Sequence, residues 1–263
     1  MRSAWCAKEV IVIVAAAEKL QAARLDRREM ETLTGRHPGM TQVEAYAIQT
    51  AGIGLRLSGG EVLVGGKLGF TSKAMQRAMG VPSPNYGWMT DAMLIHDGVV
   101  PLDELIHPKV EPEIAFLLDA DLVPPVSPSD VLASTVAVMP CLEVVDSRYV
   151  DFRFGPLDNI ADNSSAALVI LGDPHPVAGL DLVRLGVVVE ADGALHATAT
   201  GAAALDHPAA AVAWMVNNNT TSWTLSAGHI VISGGLTGPV DLRRGTVLTA
   251  SFDRIGSVGL RAA

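Results

Sequence analysis

The sequence predicts an α+β protein in which a helical N-terminal region, residues 1–56, precedes a β-rich core, residues 57–263. In the first region apolar residues recur near a period of 3.6, the spacing of one helix face. In the second region short β-rich segments alternate with turns that contain glycine and proline. Helical patterns do not separate most of these segments, and neither GxGxxG nor GxxxxGK(S/T) occurs. A doubly wound nucleotide-binding sheet is therefore not predicted.

Two helices are predicted in the N-terminal region. The apolar run Val10–Ala17 ends in small residues, as the core of a signal peptide does, but Glu9 stands where a signal peptide needs positive charge. Helical spacing continues through Leu20, so we predict a helix here. A second helix is predicted to begin at Thr41, because Glu44 three residues later completes a capping box.

The core is predicted to contain a short helix near 72–80 and strands in 61–70 (two), 110–119, 141–148, 167–172, 185–200, 229–233 and 246–260. Asp192 and Gly193 divide one of these segments into a hairpin, because this pair favours a tight two-residue turn. One longer helix is predicted from His207 to about Asn217, with Pro208 in its first turn.

Charge and composition exclude several function classes. The formal net charge of −9 argues against a nucleic-acid partner, which needs a surface rich in Lys and Arg. No run of 18 apolar residues occurs, so no membrane span is predicted. The two cysteines, Cys6 and Cys141, lack CxxC spacing, and we expect ordinary thiols in a reducing compartment such as the cytoplasm.

The segment VEPEIAF, residues 110–116, places two carboxylates in an apolar stretch. In a strand, Glu111 and Glu113 point to the same face, about 6–7 Å apart between Cα atoms, and two bare carboxylates this close repel each other. Pro112 between them cannot donate to a ladder, so the strand is predicted to lie at an edge or to bulge. Glu143, in the apolar segment CLEVV, is a third carboxylate that needs a partner.

Two interpretations of these glutamates are open from the residues alone. The first is that they are solvated side chains on half-exposed strands, because E-x-E is a common pattern. The second is that they are ligands of one hard divalent cation. Three carboxylates with further positions open to water or substrate match the preferences of Mg²⁺ and Mn²⁺.

Other polar residues are candidates for chemistry. Lys67, flanked by glycines in GGKLG, is either a catalytic or anion-binding lysine or a surface residue. Arg148, in DSRY, either binds a carboxylate bidentately or pairs with Asp146 or Asp151. The serines of IADNSSA lack the GxSxG context of a nucleophile elbow.

Four motif groups occur in order: GGKLGFTSKAMQRAMGV, HPKVEPEIAF, LEVVDSRY with IADNSSA, and SGGLT with RIGSV. Together they resemble the 2-hydroxypentadienoate hydratase and 4-oxalocrotonate decarboxylase family of the fumarylacetoacetate hydrolase superfamily, from about residue 33 to the C-terminus. The resemblance implies a core of mixed β-strands rolled around a central site, with helices packed outside. It also implies a small 2-oxo acid substrate and a Mg²⁺ or Mn²⁺ cofactor held by Glu111, Glu113 and Glu143.

Further site residues are implied by the matched motifs. Three residues are the candidate catalytic groups: Lys67, Asn85 and Ser165. Of these, the lysine would orient the substrate or transfer a proton. The candidate substrate-binding residues are Ser164, which replaces the usual alanine, Arg148, Thr71 and Asp162.

Two lyase reactions are consistent with the resemblance. The segment DSRYVDFRF favours decarboxylation of 4-oxalocrotonate through a metal-stabilised dienolate. Hydration of 2-hydroxypentadienoate is the alternative, although family hydratases usually carry Asp at the position of Asn85, and an amide cannot act as a general base. A divergent biosynthetic enzyme or a non-catalytic partner subunit is a further alternative. We expect a homo-oligomer, and a complex between decarboxylase and hydratase partners is also open.

Overall fold

The computed structural model describes residues 2–73, 76–77 and 80–263, and for residues 2–12 it describes the backbone alone. The helices of this part of the chain are α1 (Arg2–Asp26), α2 (Leu33–Arg36), α3 (Gln42–Ser58), α4 (Pro128–Ala133), α5 (Pro156–Ala161) and α6 (Pro208–Asn218). The helical N-terminal region is confirmed by α1 to α3. The capping box of Thr41 and Glu44 is present at the start of α3, and α6 begins with the predicted proline.

The strands are β1 (Leu63–Gly69), β2 (Asn85–Thr90), β3 (Leu94–Ile95), β4 (Val99–Val100), β5 (Lys109–Leu118), β6 (Thr135–Val145), β7 (Ala166–Leu171), β8 (His175–Pro176), β9 (Gly186–Ala191), β10 (Ala194–Thr200), β11 (Ile230–Ile232), β12 (Val240–Asp241), β13 (Val247–Phe252) and β14 (Gly256–Ala262). They form two mixed sheets. The larger has the order β2-β1-β11-β5-β6-β7-β3, with β12 paired to β5 and β8 to β6, and the smaller has the order β10-β9-β13-β14-β4. The α+β prediction is confirmed.

The two longest strands, β5 and β6, lie side by side in the interior of the larger sheet and pair antiparallel. The prediction that Pro112 marks an edge or a bulge is wrong, because the one register shift in this pair falls near the far end of β5. Pro112 instead lies between the stretches of β5 that pair with β11 and β12, where its carbonyl accepts the N–H of Leu236. The missing N–H of the proline therefore removes no ladder bond.

The predicted hairpin is confirmed by the antiparallel pairing of β9 and β10. Asp192 and Gly193 have φ angles of 51° and 78°, as a tight two-residue turn requires. Segment 61–70 forms one strand, not two, because the irregularity near Gly65 interrupts the register without ending β1. Within the helix predicted near 72–80, residues 73, 76 and 77 are helical, and residues 74–75 and 78–79 lie outside the described residues.

Helix α3 holds in place the elements that carry the site. Tyr46 stacks on Tyr86 of β2, with the ring centroids 4.5 Å apart. The buried amide of Gln49 donates from Nε2 to the carbonyl of Tyr86 at 2.8 Å and to the carbonyl of Ile160 in α5 at 3.0 Å. These contacts join β2 to α5, and both elements contribute residues to the site.

The main hydrophobic core contains buried residues from α1, α3, α6 and both sheets. The division of the chain at residues 56 and 57 stays a prediction. Among the described residues, no helix combines the length and the hydropathy that a membrane span requires.

Candidate metal and substrate site

The three glutamates predicted as metal ligands meet in the middle of the larger sheet. Glu111 and Glu113 lie two residues apart on β5, and Glu143 lies opposite Glu111 on β6. Carboxylate oxygens of the three residues, one from each, lie within 4.8 Å of one another. The exposed fractions of Glu113 and Glu143 are 0% and 1%. The interpretation of these two as solvated side chains is therefore wrong.

The carboxylate triad (Glu111, Glu113 and Glu143) has more negative charge than its neighbours can balance. Oε2 of Glu113 accepts the N–H of Gly234 at 2.7 Å, but Oε1 of Glu113 and Oε1 of Glu143 have no hydrogen-bond partner among the described residues. Burial and the Glu143 charge raise the pKa of Glu111 to about 7. The same causes raise the pKa of Glu113 well above its usual value.

The triad fits a divalent metal ion. Buried carboxylate oxygens without partners cost free energy unless a cation or a proton satisfies them. A set of three carboxylates with open positions is the oxygen environment that Mg²⁺ and Mn²⁺ prefer. The orphaned oxygens of Glu113 and Glu143 therefore have the chemistry expected of metal ligands.

Lys67 supplies positive charge beside the triad. It lies on β1, between β2 and β11, and is 2% exposed, so it is not a surface lysine. Its Nζ lies 3.0 Å from Oε2 of Glu143 and donates to the carbonyl and to Oγ of Ser164 at 2.9 and 3.3 Å. One lysine against three carboxylates leaves a net charge of −2 when all are ionised.

The loop of residues 233–239 joins β11 to β12 and lies against the triad. Gly234 has a φ of 93°, in the left-handed region that glycine tolerates best, and its N–H points to Glu113. At Gly235 an added Cβ would lie 2.9 Å from Cδ of Glu111 and 3.0 and 3.1 Å from its carboxylate oxygens. The glycine pair of SGGLT thus allows the backbone to approach two of the three glutamates.

The turn of residues 163–165 follows α5 and has an uncommon backbone. Asn163, Ser164 and Ser165 have φ angles of 52°, 52° and 58°, a conformation disfavoured for residues with a side chain. Asn163 fixes this left-handed turn to β2: its Nδ2 donates to the carbonyl of Trp88, and its Oδ1 accepts the N–H of Trp88, both at 2.9 Å. The turn directs the carbonyl and hydroxyl of Ser164 towards Lys67.

A hydrogen-bond network links four polar side chains beside the lysine. Ser164 Oγ donates to Oδ1 of Asn85 at 2.9 Å. Asn85 Nδ2 donates to Oδ1 of Asn159 at 2.7 Å, and Asn159 Nδ2 donates to Oγ of Ser165 at 3.0 Å. Every member of this network is an amide or a hydroxyl, so it can orient groups but holds no ionisable side chain.

A cavity of about 530 Å³ opens onto the site, a volume suited to a small molecule. The polar lining residues are Lys67, Thr71, Ser72, Lys109, Glu111, Asn159, Ser164, Ser165 and Thr237, and apolar ones include Phe70, Phe152, Phe154 and Leu236. The Oγ1 of Thr71 is buried and has no hydrogen-bond partner among the described residues. This hydroxyl is therefore available to a ligand in the cavity.

Comparison with proteins of known activity identifies the family. A 2-hydroxypent-2,4-dienoate hydratase from Pseudomonas putida is 44% identical over 207 residues, which cover 76% of this chain and 92% of that protein. A 4-oxalocrotonate decarboxylase from a Pseudomonas species is 38% identical over 253 residues, which cover 95% of this chain and 96% of that protein. The chain belongs to the family of these hydratases and decarboxylases. The prediction of a lyase is confirmed.

Solved structures of the hydratase and decarboxylase family and of its superfamily share this fold. A 4-oxalocrotonate decarboxylase from Pseudomonas putida, complexed with magnesium and adipate, has a TM-score of 0.92 at 36% identity, covering 95% of this chain and 97% of that chain. A Yersinia pestis protein of the fumarylacetoacetate hydrolase family shows the same fold with a TM-score of 0.60 at 17% identity. The predicted superfamily fold is confirmed. No family model matches the chain.

Two residues assigned from the family motifs lie away from the larger cavity. Arg148 and Asp162 are buried and form an ion pair through Nε and Oδ1. Both border a separate cavity of about 40 Å³ against α1 and α3, and neither lines the cavity beside the triad. Arg148 thus pairs with neither Asp146 nor Asp151. The pair holds the start of the left-handed turn, through Asp162 Oδ2, which accepts the Arg148 N–H, and the Asp162 carbonyl, which accepts from Arg148 Nη2. Their substrate-binding role stays a prediction.

Sequence reasoning missed three residues that line the cavity beside the triad: Asn159, Lys109 and Gly235. Asn159 is an amide next to the apolar Ile160 in a short buried helix, a pattern that indicates a hydrogen-bonded polar side chain. Lys109 lies two residues before Glu111, so strand alternation places both on one face. Gly235 belongs to the SGGLT motif, but only the structure shows which side chain its missing Cβ accommodates.

Proposed function

We propose that the protein is a Mg²⁺- or Mn²⁺-dependent decarboxylase of 4-oxalocrotonate, which is 2-oxohex-3-enedioate. The observation that supports this choice is the buried carboxylate triad and Lys67 next to a network in which Asn85 supplies an amide, not an acid. The magnesium in the similar decarboxylase structure supports the choice of cation.

The triad would hold the cation. When bound, it supplies Lewis acidity towards the carboxylate and keto oxygens of a 2-oxo acid and stabilises negative charge on the keto oxygen. The chain fixes its ligands on two long adjacent strands and excludes water from Glu113 and Glu143. Rigid, dry placement of this kind strengthens electrostatic interactions inside the site.

The proposed reaction needs an electron sink and one proton. In 2-oxohex-3-enedioate the bond between the fifth carbon and the distal carboxylate breaks, and CO₂ leaves. The bonding pair moves through the conjugated carbons to the keto oxygen and gives a dienolate, which one proton converts to 2-hydroxypenta-2,4-dienoate. Lys67 is the proposed group that orients this oxygen or delivers the proton, because Ser164 and Glu143 fix its Nζ beside the triad. Thr71, Ser164 and Ser165 are proposed to contact the substrate, since all three line the cavity.

Hydration of 2-hydroxypenta-2,4-dienoate is the second candidate function, and the 44% identity to a hydratase favours it. Hydration requires an acid–base group that delivers water and a proton. Asn85 is 2% exposed, and its partners Ser164 and Asn159 are neutral. Among the described residues that line the cavity, the ionisable ones are Lys67, Lys109 and Glu111. A hydratase of this sequence would therefore need one of these three residues as its acid–base group, and Lys67 is the one that the Ser164 network holds beside the triad.

Product analysis with the purified full-length protein tests the proposal. With Mg²⁺ present, the wild type is expected to release CO₂ from 4-oxalocrotonate, and the double variant Glu111→Gln/Glu113→Gln is not. If no CO₂ appears but 2-hydroxypentadienoate gains water, the protein is the hydratase. Thermal unfolding with and without Mg²⁺ or Mn²⁺ tests the alternative of a non-catalytic partner: a wild type that no metal stabilises would count against both enzymes.

We also propose a homo-oligomer and a cytoplasmic location. An open sheet edge supports self-association: β10 ends the strand order of the smaller sheet, and Leu195 on it is 67% exposed. A free, buried thiol at Cys141 supports a reducing compartment. Sedimentation velocity measures the first of these proposals. A complex with a partner hydratase or decarboxylase stays a prediction that co-purification from the source cells would test.

A further inference from the structure

Lys109 lies at the edge of the site on the same strand as two metal-ligand candidates. It begins β5, two residues before Glu111, and both residues line the larger cavity. Residues two apart in a strand share a face, with Cα atoms roughly 6–7 Å apart. The sheet therefore places the Lys109 side chain next to that of Glu111 on the face of β5 that lines the cavity.

The contacts of Lys109 leave its charge accessible. Its Nζ lies 2.8 Å from Oδ1 of Asp241, its register partner on β12, and 5.2 Å from the ring centroid of Phe152. The Asp241 side chain is 62% exposed, and an ion pair with so solvated a partner is weak. An ammonium group has three N–H donors, so this pair leaves donors for a ligand.

Lys67 is the other cation in the described lining of the cavity, and its N–H donors already have partners. Its Nζ forms an ion pair with the Glu143 carboxylate and donates hydrogen bonds to two oxygen atoms of Ser164. The apolar surface next to Lys109 includes the ring of Phe152, whose neighbour Phe154 lies 5.6 Å away between ring centroids, and both rings line the cavity. A ligand carboxylate that is buried next to these rings loses its hydration, and this costs free energy unless a cation such as Lys109 pairs with it.

We propose that Lys109 is a subsite for the second carboxylate of a dicarboxylate substrate whose 2-oxo acid end lies at the triad. The proposal rests on the proposed function, because the triad and its metal set the position of the first carboxylate. A six-carbon chain has five carbon–carbon bonds of about 1.5 Å each and spans about 6 Å. Because Lys109 and Glu111 are neighbouring side chains on one face of β5 and both line the cavity, a chain of this length can contact both.

The subsite acts on binding more than on the chemical step. In a decarboxylation the distal carboxylate is the group that leaves as CO₂, so its ion pair with Lys109 is present in the ground state and weakens as the charge departs. Interactions of this kind lower KM without raising kcat. The subsite therefore selects dicarboxylates over monocarboxylates, and the apolar ring of Phe152 beside it suits the uncharged vinyl end that the product has in place of the lost carboxylate.

Paired inhibitors that differ only at the distal end test the subsite. In calorimetric titrations of the full-length protein with Mg²⁺, 2-oxohexanedioate and 2-oxohexanoate share the 2-oxo acid head and the six-carbon chain. We expect the wild type to bind the diacid about tenfold more tightly, the lower range for a hydrogen bond to a charged group at a partly exposed site. In Lys109→Met this ratio is expected to fall to about one, with the affinity for the monoacid unchanged.

Three further variants separate the subsite from other effects. Lys109→Arg is expected to keep the preference for the diacid, and Asp241→Asn to keep or increase it, because the lysine loses its competing partner. Lys73→Met is the matched control, since Lys73 forms a similar exposed pair with Asp206 and does not line the cavity. Thermal unfolding of each variant checks that it is folded.

Each outcome supports or overturns the subsite. An unchanged ratio in Lys109→Met overturns it and leaves the proposed function intact. Equal weakening of both ligands also overturns it, because Lys109 would then act on the metal site or on the pairing of β5 with β12. If neither 2-oxo acid binds in the presence of metal, the proposed function fails, and the subsite fails with it.

Discussion

Replacing Gly235 by alanine tests whether the 233–239 loop sets the geometry of the metal ligands. The new Cβ would lie 2.9 Å from Cδ of Glu111 and 3.0 and 3.1 Å from its oxygens, whereas ordinary contacts begin near 3.4 Å. The Glu111 carboxylate therefore has to move by about 0.3–0.5 Å. Metal sites tolerate deviations of about 0.2 Å in ligand distance. The substitution thus displaces one ligand beyond the range in which all three can bind together.

The expected loss is in metal affinity, not in fold stability. Disturbing groups that orient metal ligands weakens metal binding roughly 10- to 100-fold, or about 1.4–2.7 kcal/mol. The obstructed atoms belong to the end of a flexible side chain next to a cavity, so the backbone of the loop is not forced to move. We expect the Tm of the metal-free protein to stay within a few degrees of the wild type.

Calorimetric titration with Mg²⁺ measures this effect directly. Gly238→Ala is a matched control in the same loop, because an added Cβ there meets no atom within 4 Å. The control is expected to bind Mg²⁺ as the wild type does. The reasoning is refuted if Gly235→Ala binds Mg²⁺ with wild-type affinity, or if the control weakens binding to the same extent.

The remaining predictions concern protonation, catalysis and packing. Because the pKa of Glu111 is raised to about 7, this carboxyl is protonated below that pH and must lose its proton to bind a metal. Mg²⁺ affinity should accordingly fall as the pH drops from 8 to 6, by up to about tenfold per unit below pH 7, and flat titrations across this range would contradict the assignment. Lys67→Ala is expected to lower turnover by roughly 10²–10⁴-fold, and a near-normal rate of CO₂ release would remove Lys67 from the mechanism. In Gly69→Ala the Cβ would lie 2.2 Å from Oδ1 of Asn85 and 2.4 Å from Oγ of Ser164. We expect the free energy of unfolding, measured by urea denaturation, to fall by about 1–3 kcal/mol and the activity to be lost. Wild-type values for both would show that Asn85 and Ser164 can move aside without cost.

Features that depend on neighbouring residues were predictable from the sequence. Strand alternation placed Glu111 and Glu113 on one face, and the structure confirms that their carboxylates meet. The turn at Asp192 and Gly193 was also predictable, because its chemistry lies within two residues. Glu143 was recognised as a residue that needs a partner, since a lone carboxylate in an apolar strand is costly.

Contacts between distant segments could not be predicted in the same way. Lys67 and Ser164 are 97 residues apart, and only the folded sheet brings the Nζ of one to the carbonyl of the other. The polar motif around Arg148 did not show which carboxylate its guanidinium would contact. In the structure its partner is Asp162, and both residues border the smaller cavity. Pro112 was expected at an edge because pairing partners are not visible locally, whereas the gap between two short strands accommodates it.

The left-handed turn at Asn163, Ser164 and Ser165 has a consequence for the order of folding. Three successive residues with positive φ are rarely populated together in an unfolded chain, since each costs about 1 kcal/mol or more. We therefore expect the turn to form only once β2 supplies Trp88 and β1 supplies Lys67 as partners. Helices form locally and early, so in a refolding experiment the helical circular dichroism signal should recover before the enzymatic activity does. Activity that lags behind this signal would report the assembly of the turn, and simultaneous recovery would contradict the expected order.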